Sequence, residues 1–384
     1  MDVNAPLALL GGLSPATFMK RHWQKKPLLV RQAWPGVVPP LSRAALFDLA
    51  GSEDVESRLV QRKGAGDAAK WGVKHGPFAR RALPPVSRPD WTLLVQGLDL
   101  HVPAAHAMLQ AFNFLPAARL DDLMVSWASD GGGVGPHLDS YDVFLLQVHG
   151  ARRWQIGRPA DSSFVEGAPL KLLRHFEPEQ EWVLEPGDML YLPPRWAHDG
   201  VAQGADCMTC SVGLRAPSAT ELARDLLLRL ADEADEDHQD RLESNRIALY
   251  ADPKQLAMTN PAELPPALLD FAGQAVVRQL ADSDAMARVL GAWLTEPKAN
   301  VWFSAGNELV PGGVRLDSRT RMLYDARHVF INGEALRAGG RDAKLMRQLA
   351  DTRALTAAEC ARLSEDARGL LGDWAQAGWV RQSE

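Results

Sequence analysis

Cysteine is scarce. Three in 384 residues are too few for a disulfide framework, and the scarcity suits a reducing compartment. Positive charge is not in excess either: 42 Lys and Arg stand against 48 Asp and Glu, a formal net charge of -6. That balance gives no electrostatic footprint for nucleic acid. Uninterrupted apolar runs long enough to span a bilayer are missing. The opening MDVNAPLALLGGLSPATF lacks the basic start and long apolar core of a secretory signal. The expectation is a cytoplasmic chain that binds neither membrane nor nucleic acid directly. With 46% hydrophobic and 23% charged residues, its composition is that of a globular protein, and its length suits two or three domains.

Cys207 and Cys210 form a C-x-x-C within DCMTCSVGL, which opens a zinc or redox reading. The alternation around them predicts a strand, however, and on a strand residues three apart face opposite sides. They are expected to be small core side chains.

Three textures divide the chain. Ser14 and Pro15 predict a helix start, and Pro-Leu-Leu-Val at 27–30 a short strand. From about residue 90 to 215, short apolar stretches alternate with Gly, Pro and Asp turns, the pattern of a β-sandwich, barrel or double-sheet jelly roll. After Ala216-Pro217 the pattern becomes helical. Ser218 and Glu221 form a capping box ahead of Leu222, Leu226, Leu227 and Leu230 at helical spacing. An acidic run from Ala231 reads as a solvated face, and NPAELPPALL at 260–269 as a break. This middle stretch carries more apolar surface than one isolated helix needs, which suits a second subunit or an intramolecular core. From about residue 300, strand-like VRLDSRTRMLYDARHVFING is joined to helical stretches, with a second capping box at Thr356 and Glu359 ahead of Leu363, Leu370, Leu371 and Trp374.

The chemistry concentrates in GPHLDSYDVFLL. A strand here aims His137 and Asp139 to one face, because residues two apart share a side. A satisfied polar pair would explain that much. His198, in EPGDMLYLPPRWAHDG, is expected near the end of a strand in the same β-rich region and adds a second imidazole. Two histidines and one carboxylate on one face of a metal make the facial triad of non-haem Fe(II) oxygenases. It leaves two positions for a chelating co-substrate and one for dioxygen. A fourth protein ligand, which structural zinc would want, is not in view. In GARRWQIG, Arg152 shares a strand face with the apolar Trp154 and Ile156. A buried guanidinium needs an anion; an internal carboxylate or a bound dicarboxylate would each match its planar fork.

These residues, within GGGVGPHLDSYDVFLLQVHGARRWQIG and EPGDMLYLPPRWAH, resemble the JmjC-type 2-oxoglutarate oxygenases, most closely the bacterial ribosomal oxygenases. HWQKKPLLVRQAW near the N-terminus is similar to that family's opening motif. The resemblance implies a mainly β catalytic domain over 1–216, a double-stranded β-helix of cupin or jelly-roll type. A helical dimerisation region over 217–299 and a winged-helix-like α+β module over 300–384 would follow. It implies Fe(II) on His137, Asp139 and His198, 2-oxoglutarate on Arg152 and Ser126, and dioxygen as the other co-substrate. The implied reaction is 3-hydroxylation of an arginine in a large-subunit ribosomal protein, the sixteenth of the L series, by a homodimer. Asp130, in ASDGGGVG, is a candidate for the substrate guanidinium, although Asp is also common in such turns for local reasons. His149 is a candidate for the same mouth. The rival readings are the same chemistry on histidine, demethylation, or a non-catalytic metal-binding cupin scaffold. An acidic pocket would suit arginine, and a neutral amide-lined one histidine.

Overall fold

The computed structural model describes residues 2–64, 69–243, 249–253, 262 and 264–383. The side chains of the latter part of the acidic run, and residues 260, 261 and 263 of the expected break at 260–269, fall outside that description. Two compact units divide the chain, Met1–Ala216 and Pro217–Glu384. Among the described residues no helix is long and apolar enough to cross a membrane.

The first unit opens on the helix Pro15–Arg21, whose N-cap Ser14 accepts a hydrogen bond from the Thr17 amide at 3.2 Å. Ten strands of the described residues then build one sheet: β1 (Leu28–Val30), β2 (Ser57–Lys63), β3 (Lys70–His75), β4 (Trp91–Val95), β5 (Leu120–Ala128), β6 (His137–Leu138), β7 (Val143–Gly157), β8 (Gln180–Leu184), β9 (Met189–Leu192) and β10 (Ala197–Leu214). Their order is β1-β9-β7-β10-β5-β4-β2-β3, with β6 on β10 and β8 on β7. Neighbours pair antiparallel. This is the large antiparallel sheet expected of a cupin-type domain.

The two longest strands bend together. Along β7, Phe144, Leu146 and Val148 enter the main core with Phe18, Trp91 and Trp127. Val143 and Leu145 face a second cluster, which Trp154 and Ile156 join further on. The inward set has changed from odd to even numbers, so an irregularity must lie between. It lies at Gly150, whose φ is +63° and whose missing Cβ would stand 2.6 Å from the Asp206 carbonyl. Opposite it, the pairing of β10 shifts around Met208. A bulge of this kind bends a strand and re-aims its side chains.

Two expectations need correction. His198 is the second residue of β10, at the start of a strand and not near the end of one. Pro193 and Pro194 turn the chain from β9 straight into β10. DVFLLQV and RRWQIG, two of the short apolar stretches expected between about residues 90 and 215, are one strand. Cys207 and Cys210 do face different clusters, Cys207 beside Ala128 and Ala202 and Cys210 in the main core.

In the second unit the helix Ala219–Glu243 starts at the expected box. The Glu221 amide donates to the Ser218 hydroxyl, and the Ser218 amide to the Glu221 carboxylate, each at 3.1 Å. Leu226 and Leu230 pack on Ala285 and Val289 of the helix Ser283–Thr295. Beyond them, two three-stranded sheets and the helices Gly340–Thr352 and Glu365–Gln376 share a core. The box at Thr356 and Glu359 forms, but it opens only the short helix Ala357–Cys360. Leu370, Leu371 and Trp374 sit on the next helix, which Ser364 caps.

Candidate metal centre and its cavity

His137 and His198 stand opposite each other where β6 pairs with β10, with ring centroids 4.2 Å apart. Asp139 follows two residues past His137 and places Oδ2 3.7 Å from His198 Nε2. One ligand atom from each of the three lies within 4.8 Å of the others. The sixty-residue gap in sequence is closed by a single strand pairing.

The imidazoles are oriented by backbone. His137 Nδ1–H donates to the Gly135 carbonyl at 2.9 Å, and His198 Nδ1–H donates to the Trp196 carbonyl at 3.0 Å. A carbonyl only accepts, so each ring donates from Nδ1, and in the neutral ring that tautomer leaves Nε2 free for a metal. His198 is 3% exposed. Burial, with the facing His137, holds its pKa well below the usual histidine range, so the ring is neutral near pH 7. Two bare nitrogens and a carboxylate oxygen at this spacing fit a divalent ion such as Fe(II).

The glycine-rich approach to His137 has a steric cause. The Ala202 amide donates to Gly132 O at 2.8 Å and the Gly131 amide to Ala202 O at 3.0 Å, so the loop lies flat on β10. A Cβ on Gly133 would meet the Gly200 carbonyl at 2.6 Å, and one on Gly200 would meet the Trp154 ring at 2.6 Å. Gly200→Ala is expected to destabilise the protein by about 1–3 kcal/mol, the range for overpacking. A thermal melt reads this directly.

A cavity of about 550 Å³ is lined by the three donors together with Arg152, Trp154 and Ser126. Arg152 is 5% exposed. Its Nε and Nη2 have no hydrogen-bond partner, and no described carboxylate is in ion-pair contact with it, the buried Asp199 acting on it only at longer range. The internal partner that the sequence leaves open is therefore not found. Two bare donors on a buried planar cation make a seat for an anion, and the Trp154 ring lies 5.8 Å away. Ser126 is buried, its hydroxyl 3.5 Å from the Thr209 carbonyl.

Asp130 and His149 are not brought to this cavity. Asp130 instead accepts from the Gly204 amide at 2.8 Å, a local turn role. His149 is 51% exposed in its side chain and lies 4.0 Å from Asp206. The carboxylates that line the cavity besides Asp139 are Asp121 and Asp122. Asp122, Met124 and Ser126 follow one another at two-residue steps on β5 and all line it, so Asp122 lies ~13 Å along the strand from Ser126. The alternation in DDLMVS carried that signal.

HWQKKP braces the same region. The Gln24 amide donates to the Tyr191 hydroxyl at 2.8 Å, and the Gln24 side chain donates to Asp142 at 3.0 Å. Tyr191 donates to the other Asp142 oxygen at 2.6 Å. Asp142 is buried three residues past Asp139, so the motif fixes the turn that follows the donors.

Residues 107–222 match the JmjC domain and residues 278–381 a ROXA-like winged helix. The chain is 38% identical, over 66% of its length, to the ribosomal protein uL16 3-hydroxylase of Escherichia coli. It is 40% identical, over 55% of its length, to a probable ribosomal oxygenase of Haemophilus influenzae. Those matches span 64% and 52% of the two relatives' own lengths. The solved structure of E. coli YcfD aligns over 96% of this chain and 98% of its own, with 29% identity and a TM-score of 0.81. A further structure of YcfD, a ribosomal oxygenase in complex with cobalt and 2-oxoglutarate, aligns over 97% and 99%, with 29% identity and a TM-score of 0.77. The chain thus carries a JmjC domain and a ROXA-like winged helix, and over nearly its whole length it is similar to the ribosomal oxygenases.

Proposed function

We propose that the protein is a 2-oxoglutarate- and Fe(II)-dependent hydroxylase acting on an arginine side chain of a large-subunit ribosomal protein. The observation that carries this reading is Arg152, a buried guanidinium with unpartnered donors in the cavity that the three metal-type donors share. A silent scaffold has no use for both. The names of the E. coli relative, a uL16 3-hydroxylase, and of the cobalt and 2-oxoglutarate complex support it.

On this reading His137, Asp139 and His198 hold the iron through Nε2, a carboxylate oxygen and Nε2. Fe(II) supplies the dioxygen chemistry, in which 2-oxoglutarate becomes succinate and carbon dioxide while one oxygen atom enters a substrate C–H bond. Arg152 takes the distal carboxylate of 2-oxoglutarate, and Ser126 gives the same molecule a hydroxyl contact. Trp154 and Leu145 wall the site in apolar surface, which keeps water from the reacting groups. Asp121, paired with Arg215 at 3.3 Å, and Asp122, which accepts from the Gly97 amide at 2.9 Å, line the cavity where Asp130 does not and give it an acidic wall, which favours arginine over histidine. A cytoplasmic location fits such a substrate. Purified protein given Fe(II), 2-oxoglutarate, oxygen and ribosomal proteins should form succinate and add one oxygen atom to an arginine-containing peptide. Succinate with oxygen on a histidine would move the substrate; no succinate with any ribosomal protein would favour the scaffold.

The helical stretch 217–299 is proposed as the dimerisation region, with 1–216 catalytic and 300–384 a winged-helix-like module. Its helix Pro266–Ala281 exposes Leu269 at 55% and Val277 at 63%, along with Leu268 and Phe271. Large apolar side chains exposed together on one helix mark an association surface, and a second copy is the occupant. Leu269→Glu with Val277→Glu should halve the mass in solution, as light scattering after gel filtration would show. An unchanged mass would place the dimer contact elsewhere.

A further inference from the structure

We infer that Arg58 forms a second acceptor-binding subsite of this cavity, one that takes a carbonyl or carboxylate oxygen of the substrate polypeptide beside its target residue. This rests on the hydroxylase reading and adds to it how the polypeptide is held. Arg58 lies on β2 and lines the cavity. Its pairing places it in a row: Arg58 opposite Leu94 on β4, and Leu94 opposite Ser126 on β5. Directly paired residues share a face of a sheet, and all three line the cavity.

The guanidinium is held but not neutralised. Arg58 Nη2 donates to Gln96 Oε1 at 3.1 Å, and Gln96 lines the cavity too. Arg58 Nε is buried and has no hydrogen-bond partner, and no described carboxylate is in ion-pair contact with Arg58, although Asp121 and Asp122 line the same cavity. An amide fixes the direction of the fork while leaving its full charge. A half-buried guanidinium that lines a cavity with a single amide partner is completed by an oxygen acceptor that enters the cavity.

Position separates this seat from that of the co-substrate. In the sheet, β7 with Arg152 and β2 with Arg58 are separated by β10, β5 and β4. The metal-type donors project from β10, β6 and the turn after it, nearer the Arg152 flank. A small dicarboxylate bound to the centre and Arg152 leaves the Arg58 flank to the polypeptide.

Steady-state kinetics of Arg58→Met and Arg58→Lys test this, with the ribosomal substrate in one series and 2-oxoglutarate in the other. Arg58→Met keeps the apolar stem and removes the fork. It should raise KM for the polypeptide roughly tenfold or more, the size of a lost charge-assisted hydrogen bond, with KM for 2-oxoglutarate within about twofold of wild type. Arg58→Lys, which keeps the charge, should recover part of the loss. Substrates whose flanking acids are changed to amides divide the two sources. A wild-type KM that rises to the Arg58→Met value identifies a carboxylate; an unmoved one, with the Arg58→Met effect intact, identifies a main-chain carbonyl. A polypeptide KM unchanged in Arg58→Met, or an equal rise in the 2-oxoglutarate KM, overturns the subsite alone. Wild-type protein inert toward every ribosomal protein overturns the functional reading and the subsite with it.

Discussion

Exchanging Asp139 for alanine is expected to strip the protein of its metal and of all measurable turnover. Among the described residues the centre has three protein donors, and Asp139 brings the one negative charge of the three. Two imidazoles remain, and they bring no negative charge to the ion; their rings stand 4.2 Å apart. Loss of an outer partner alone lowers metal affinity by about 10- to 100-fold; loss of a donor should exceed that. The fold should survive. Asp139 is partly exposed, and the bond from the Arg195 amide to its carbonyl, 2.8 Å, belongs to the backbone. Titration with Co(II) or Fe(II) under argon, followed by calorimetry, checks the affinity. Thermal melts with and without metal check the linkage, since an ion bound only by the folded state raises the melting point. A variant that keeps wild-type affinity would remove Asp139 from the centre.

Arg152→Met carries the second large effect, and its two consequences have opposite signs. With co-substrate, the variant loses a bidentate charge-assisted contact, and KM for 2-oxoglutarate should rise on the order of a hundredfold. Without co-substrate, the same change removes a buried cation whose Nε and Nη2 have no partner. Replacing an unneutralised buried charge by an apolar side chain of similar length relieves its desolvation penalty. The variant should therefore melt no lower than wild type when 2-oxoglutarate is left out. A higher KM with a much lower melting point would give Arg152 a structural role, and an unchanged KM would remove it from the co-substrate site.

Much of the centre was legible because it obeys local rules. The two-residue step from His137 to Asp139, and the shared face of Arg152, Trp154 and Ile156, follow from strand geometry alone. Where the reading failed, the cause was an event that periodicity does not record. The bulge at Gly150 exchanges the inward face of β7, and nothing in the one-letter string distinguishes it from an ordinary turn glycine. His198 was placed at the wrong end of a strand because a proline pair can close one strand and open the next. Asp130 drew attention through its glycine-rich loop, yet its carboxylate is used on a backbone amide. Asp122, four residues from Ser126 on a common face, was readable and passed over. The edge strand β3 and its neighbour β2 are not legible because KWGVKH and SRLVQRK carry charges at a sheet margin, where edge strands place them.

The most direct measurement is mass spectrometry of ribosomal proteins from cells with the protein, cells without it, and cells carrying Asp139→Ala. One arginine-containing peptide of a large-subunit protein should be heavier by one oxygen atom in the first cells and unmodified in the other two. Identical masses in all three would contradict the proposed hydroxylation of a ribosomal arginine.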